Sequence, residues 1–245
     1  MHFRINLAIA KAFSDVKIGL LVAKNVNNRT SSLEIEQAMR QVEREARAIY
    51  KLEEIGMMPK ILDWRAAYQK FGSKPSLFKS SVEALLRRVL QDKDLPHISP
   101  LVDAYNLVSI KYVIPAGAND LDCTEGGIAL TFAQGGESFE SLNAKQGEKE
   151  SIAQGEVVYR DDKDVICRRW NYRESNKTKI REETKNACFV FEGLHHTSEE
   201  EIRQALLDLR ILLERSCGGE YKELYLDAHH LEAALIHKQP EKSGI

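Results

Sequence analysis

Apolar residues along this chain recur at helical spacing in its first half and at strand spacing in its middle. Residues 3–23 carry two short apolar stretches, INLAIA and IGLLVA, split by Ser14-Asp15. They predict two strands, as a hairpin or as a pair crossing one sheet. After the loop NVNNRTSS, Ser31 and Glu34 form a capping box. Ile35, Met39, Val42, Ala46 and Ile49 follow at helical spacing until Gly56. Pro59 opens a short helix through Tyr68. Ser80 and Glu83 make a second capping box, with Phe78, Val82, Leu85, Leu86 and Val89 on one face and Arg87 opposite. Ser99-Pro100 opens a helix that buries Leu101, Tyr105, Val108 and Tyr112 and leaves Asp103 and Asn106 on its polar side. From Val113 to Phe191 short runs (IALTFA, GEVVYR, DVICRRW, CFVFEG) alternate with Gly, Asp and Asn clusters, which is sheet with turns. Thr197 and Glu200 cap a last helix through Leu213, Gly218-Gly219 ends it, and YKELYLDA is a final strand before a polar tail, KQPEKSGI. The pattern is α+β, with helices first, sheet in the middle and a helix near the end.

Composition narrows the possible functions. Of 245 residues, 43% are hydrophobic and 29% charged, enough for a globular core. Lys and Arg total 35 against 37 Asp and Glu, a formal charge of -2. A globally basic nucleic-acid coat is excluded, and any polyanion must bind a local patch. No apolar run is long enough for a membrane span, and Arg4, Asn6 and Lys11 interrupt what would be a signal-peptide core. Cys123, Cys167, Cys188 and Cys217 have neither zinc nor redox spacing, which predicts free thiols and a cytoplasmic protein. His195-His196 and His229-His230 lack an acidic or Cys partner at ligand spacing, so no metal site is expected. The segment 136–150 lacks the Lys-Ser/Thr ending of a phosphate loop.

Two segments carry a family resemblance. EALLRRVL…LPHISPLVDAYNLVSIKYVIPAGANDLD spans Glu83 to Asp122, and GEVVYRDDKDVICRRWNYRES…TKIREETKNACFVFEGL spans Gly155 to Leu194. Together they resemble the B3/B4 domain of the phenylalanyl-tRNA synthetase β subunit, and more closely its free-standing relatives. The resemblance implies mainly antiparallel, β-sandwich-like sheets flanked by helices. It implies hydrolysis of the ester that joins a wrong amino acid to the terminal ribose of a tRNA, with no cofactor. Such a site places a water, holds the amino group and donates hydrogen bonds to the forming oxyanion.

The candidate residues follow from those motifs. Asn106 of VDAYN matches a pocket asparagine, which can donate and accept at once; the residue alone reads equally as a helix-surface Asn. In PAGANDLD the family usually has a histidine where Gly117 stands, which leaves backbone amides, Asn119 or Asp120 to line the pocket; the same residues are turn formers. CRRWNYRES replaces a stretch of small residues and glycines with Arg168, Arg169, Trp170, Asn171, Tyr172 and Arg173. With Lys177, Lys179 and Arg181 this suits an RNA backbone and a terminal base, or else a charged, protected edge strand. Trp170 implies a narrow amino-acid pocket and Asn171 a substrate contact. Glu192 resembles a pocket glutamate that holds the ammonium group or orients water; the alternative is a solvent-facing charge at a strand end.

The expected organisation is an N-terminal strand-helix region (1–72) on a B3/B4-like core (73–195), followed by a C-terminal helix, strand and tail (196–245). The expected function is a trans-editing aminoacyl-tRNA deacylase, with Asn106, Asn119 and Glu192 catalytic. The alternatives are a tRNA- or RNA-binding module with a degenerate pocket, favoured by the missing histidine, and a small-molecule hydrolase or amino-acid-binding protein using the same pocket.

Overall fold

IGLLVA and ACFVF are apolar at every position rather than at alternate ones, the signature of strands buried on both faces. The computed structural model describes residues 1–29, 32–142, 144–145 and 148–235. Its first half holds β1 (His2–Ile5), α1 (Leu7–Ala12), β2 (Lys17–Lys24), α2 (Leu33–Ile49), α3 (Pro59–Lys70), α4 (Ser81–Val89) and α5 (Pro100–Tyr112). Strands β3 (Ala116–Asp120), β4 (Ile128–Phe132), β5 (Ser138–Phe139), β6 (Glu150–Ser151), β7 (Val157–Arg160), β8 (Val165–Arg168), β9 (Arg173–Glu174) and β10 (Ala187–Gly193) follow. The chain then forms α6 (Glu199–Cys217), β11 (Glu220–Asp227) and β12 (Glu232–Ala234).

These elements make an α+β fold with two main sheets. One has the order β12-β1-β4-β7-β8-β9, the other β11-β2-β10-β3, and β5 pairs with β6. All pairings are antiparallel except β1 with β4. Strands β2 and β10 lie inside the four-stranded sheet, which explains their unbroken apolar runs. Along β10, Phe189 and Phe191 join Leu21, Ala116, Ala118 and the buried faces of α2, α5 and α6 in one cluster. Cys188 and Val190 join Ile18, Leu20, Phe3, Leu130 and Ile166 in the layer between the sheets. Alternation therefore aims Glu192 into that inter-sheet layer as well. Helix α6 crosses β2 at Gly19, where a Cβ would come 2.3 Å from Ile202, so glycine permits the close approach.

Several expectations are corrected. INLAIA is not a strand: β1 ends at Ile5, Asn6 caps α1 by accepting from the Ala8 amide at 2.8 Å, and the alanines favour the helix. β1 and β2 also belong to different sheets. The cap of α2 is Ser32, one residue after Ser31, which lies outside the described residues, as does the tail KQPEKSGI. Ile49 is exposed and Glu43 is buried, where its carboxylate accepts from Arg40 at 2.7 Å and from the Leu95 amide at 2.6 Å. The Ser80 hydroxyl caps nothing. Glu83 is instead clamped by Arg65 and by Arg87, so Arg87 does not stand opposite the buried face. Asp103 is buried and accepts from the Ile98 amide at 3.0 Å. The last capping box is Ser198 with Glu201, not Thr197 with Glu200. Among the described residues no helix is long and apolar enough to cross a membrane.

Candidate functional site

The turn joining β8 to β9 is held from three sides. The Glu156 carboxylate accepts from Arg168 Nε, Arg168 Nη2 and the Arg169 amide, each at 3.0 Å. Glu150 accepts from Arg168 Nη1. The Trp170 amide donates to the Val157 carbonyl at 2.6 Å. These bonds fix Arg169 at φ 47° and Trp170 at φ 63°, left-handed conformations that glycine adopts without strain. That explains why a stretch rich in small residues fits this turn and why two bulky residues need so many restraints here. The Trp170 ring is wholly buried, edge-on to Phe13 at 4.9 Å and to Trp64 at 5.1 Å between centroids. It is therefore a core anchor and limits no open pocket.

Beyond the turn the chain delivers Asn171 and Glu174 to the inter-sheet layer. Tyr68 donates to Asn171 Oδ1 at 2.9 Å, and Asn171 Nδ2 donates to Glu192 Oε2 at 2.8 Å. The Tyr159 hydroxyl donates to the other Glu192 oxygen. Both Glu192 oxygens thus have partners, yet burial raises its pKa to about 7 against the hydrogen bonds of Tyr159 and Asn171. Glu174 sits on the edge strand β9, facing the edge strand β3. A Cβ on Gly117 would lie 2.6 Å from Glu174 Oε1, so the carboxylate fills the room that a side chain at 117 would take. Burial first, and then the charge of Glu192, push Glu174 up to about 8. Its Oε2 is buried and has no hydrogen-bond partner among the described residues beyond the weak donor of the nearby Cys167 thiol. Burial, with Glu174 and Glu192 nearby, also holds Cys167 as an unreactive thiol.

Backbone donors stand beside this pair. Glu192 donates its amide to the Pro115 carbonyl at 3.1 Å, and Leu121 donates to the Asn186 carbonyl at 2.9 Å. Antiparallel alternation then turns the Ala116, Ala118 and Asp120 amides away from β10, onto the free edge of β3. Asp120 uses its amide on the Thr178 carbonyl at 2.9 Å, and the Ala116 carbonyl accepts from Ser81 Oγ at 3.4 Å. Between them the Ala118 amide has no acceptor among the described residues.

The structure brings Gly117, Asn119, Trp170, Asn171 and Glu192 to one layer and leaves Asn106 out of it. Asn106 is half-buried on α5, which covers the opposite face of the four-stranded sheet. Asn119 is buried and accepts from Thr178 Oγ1 at 2.9 Å. Asp120 accepts from Thr184 Oγ1 at 2.6 Å and from the Asp122 amide at 2.9 Å, so it closes a turn. The expected basic face is largely neutralised. Arg168 is buried against Glu156, and Lys177 lies within 3.0 Å of carboxylate oxygens of Glu125, Asp161 and Asp164. The Arg169 guanidinium stacks on Phe78 at 3.7 Å. Arg173, Lys179 and Arg181 have no carboxylate partner among the described residues. His195 and His196 face different carboxylates, Asp15 at 3.6 Å and Asp63 at 2.8 Å.

Sequence reasoning missed Glu174, Tyr159 and Tyr68. Glu174 read as one more charge in an Arg-rich run. Tyr159 was legible only by pairing the alternation of GEVVYR with that of ACFVFEG, which needs to know that the two strands face each other.

The sequence model of the B3/4 domain matches residues 63–216. No curated protein is significantly similar to the chain. Among solved structures, an N-terminal fragment of the phenylalanyl-tRNA synthetase beta-subunit from Pyrococcus horikoshii is similar over 91% of this chain and 53% of that one, with 13% identity and a TM-score of 0.47. The chain therefore spans about half the length of that fragment.

Proposed function

We propose, for a chain that belongs to the B3/4 domain family, that it hydrolyses the ester of mischarged aminoacyl-tRNA in trans. Family membership supports a tRNA-related editing domain, and the residues at the meeting of β3 and β9 support hydrolysis. The observation that carries the reading is the Glu174 carboxylate beside Gly117, its buried Oε2 without an N–H or O–H donor among the described residues and its pKa raised to about 8.

A carboxylate that titrates near neutrality is suited to general base catalysis. Water held by Glu174 Oε2 attacks the ester carbonyl carbon, and its proton passes to the carboxylate. The carbonyl oxygen gains negative charge and takes a hydrogen bond from the free Ala118 amide. Collapse of the tetrahedral intermediate breaks the bond to the ribose oxygen, which receives the proton back from Glu174. Glu192, held by Tyr159 and Asn171, keeps Glu174 basic through its charge and remains buried behind it. Glu174 thus takes the role that the family's histidine would have at position 117. Asn119 and Asn171 shape the site, and Asn106 contributes at most from the far side of the sheet.

A binding module without catalysis is the second reading, favoured by the glycine at 117. A panel of mischarged tRNAs, each with its correctly charged counterpart, separates the two. Hydrolysis of at least one mischarged tRNA well above the spontaneous rate supports the deacylase. Binding without hydrolysis across the panel supports the module.

A further inference from the structure

Helices α3 and α4 and the 72–80 loop enclose an open cleft of about 940 Å³. Arg65, Lys74, Lys79 and Arg87 line it, with Leu62 and Pro75 among its apolar walls, and no acidic residue faces it. Glu83 lies buried beneath, and hydrogen bonds from Arg65 and Arg87 hold its carboxyl below the usual range although burial works against them. One carboxylate thus orients two guanidinium groups. Arg87 uses only Nε on it, at 2.8 Å, which leaves Nη1 and Nη2 without a protein partner among the described residues. Lys79 contacts only the Ser76 carbonyl, at 3.0 Å, and Lys74 has no side-chain partner among the described residues. Four cations over one buried anion give the cleft a strong positive field in a molecule whose net charge is -2.

We infer that this cleft binds the phosphodiester backbone of a single-stranded RNA segment. Four observations favour that occupant. Lys74, Lys79 and the Nη1 and Nη2 groups of Arg87 have no carboxylate partner among the described residues, unlike Arg168 and Lys177, while Arg65 is paired to Glu83. The Arg87 guanidinium, fixed through Nε by Glu83, presents its two Nη groups as a forked donor that matches phosphate oxygens. The apolar wall at Leu62, 41% exposed, offers contact to bases, which a flexible single strand can turn inward and a stiff duplex cannot. The cleft also adjoins the candidate site: Phe78, two residues past Ser76 in its wall, packs edge-on against Tyr172 at 5.2 Å, and Ser81 contacts Ala116 at the start of β3. A strand leaving the site at the β3 and β9 edges would run over this loop into the cleft. The identity of that strand as the 3′ end of a tRNA rests on the deacylase reading; the binding of RNA by the cleft does not.

The test uses the full chain and an uncharged, fluorescently labelled single-stranded RNA ending in CCA, titrated at several salt concentrations. The parent binds, and binding weakens with salt. Lys74→Ala with Lys79→Ala lowers affinity at least tenfold and reduces the slope of log K against log salt by about 1.4, the release expected for two single-strand phosphate contacts. Lys163→Ala with Lys222→Ala, outside the cleft and matched in charge, changes neither. An unchanged affinity in the cleft variant, no binding by the parent, or equal binding of polyglutamate overturns the inference. RNA binding that depends on Lys74 and Lys79 sustains it even if no tRNA in the panel is hydrolysed. Hydrolysis with undiminished RNA binding in the cleft variant sinks it and leaves the deacylase standing.

Discussion

Gly117 and Glu174 act as one unit, because the absence of a side chain at 117 is what lets a carboxylate sit there. A buried carboxyl with a raised pKa has a consequence for stability. The folded chain binds the Glu174 proton up to about pH 8, while the unfolded chain releases it near the ordinary value of 4.5. The folded state therefore holds more protons in that window, and its stability is greatest at the acid end and falls as pH rises toward 8. Glu174→Gln removes this titration. Between pH 5 and pH 8 the parent should lose on the order of 1–3 kcal/mol more unfolding free energy than the variant. Urea unfolding of both proteins at the two pH values checks it. Equal losses would mean that Glu174 is solvated and ordinary. Glu192 titrates nearby in both proteins, so only the difference between them is informative.

At the scale of elements, the β8–β9 hairpin is built around a buried ion pair rather than around an RNA-facing surface. Arg168 and Glu156 hold the two left-handed residues of the turn and through them Asn171 and Glu174. Arg168→Ala strands the Glu156 charge in the interior and should cost about 3–5 kcal/mol. Differential scanning calorimetry would register this as a large fall in Tm, while RNA affinity per folded molecule stays within about twofold of the parent, since a residue that never meets phosphate contributes nothing to the counterion release. A selective loss of RNA affinity with normal stability would restore Arg168 to the surface role its sequence context suggests. This hairpin also marks where the sequence stopped being readable. Long periodic elements such as α2, α3 and α6, and the apolar runs of β2, β7, β8 and β10, were legible because burial leaves a period in the sequence. INLAIA reads as a strand because a six-residue helix carries too little periodicity to outweigh its apolar content. In CRRWNYRES the local sequence cannot tell a half-buried cation such as Arg173 from Arg168, which folds back onto Glu156, twelve residues earlier. Glu192 is singled out by the resemblance and Asn171 by its place in CRRWNYRES, whereas Glu174 requires knowing that the edges of two different sheets meet.

For the whole molecule, a net charge of -2 does not describe how it meets a polyanion. Acidic side chains neutralise Lys177 and Arg168, whereas Arg65, Lys74, Lys79 and Arg87 share a single buried carboxylate in the cleft between α3 and α4, next to the edges of β3 and β9. The layered fold thereby places a carboxylate with a buried oxygen and a backbone amide without an acceptor among the described residues where the edges of β3 and β9 meet, with a basic cleft beside them. The claim that this junction is hydrolytic is tested most directly by the single-turnover deacylation rate of the best mischarged tRNA, measured for the parent and for Glu174→Gln at pH 8. The account predicts a fall of about a hundredfold or more in the variant, the usual worth of a general base, with folding and RNA affinity retained. A variant that deacylates within about twofold of the parent would contradict it.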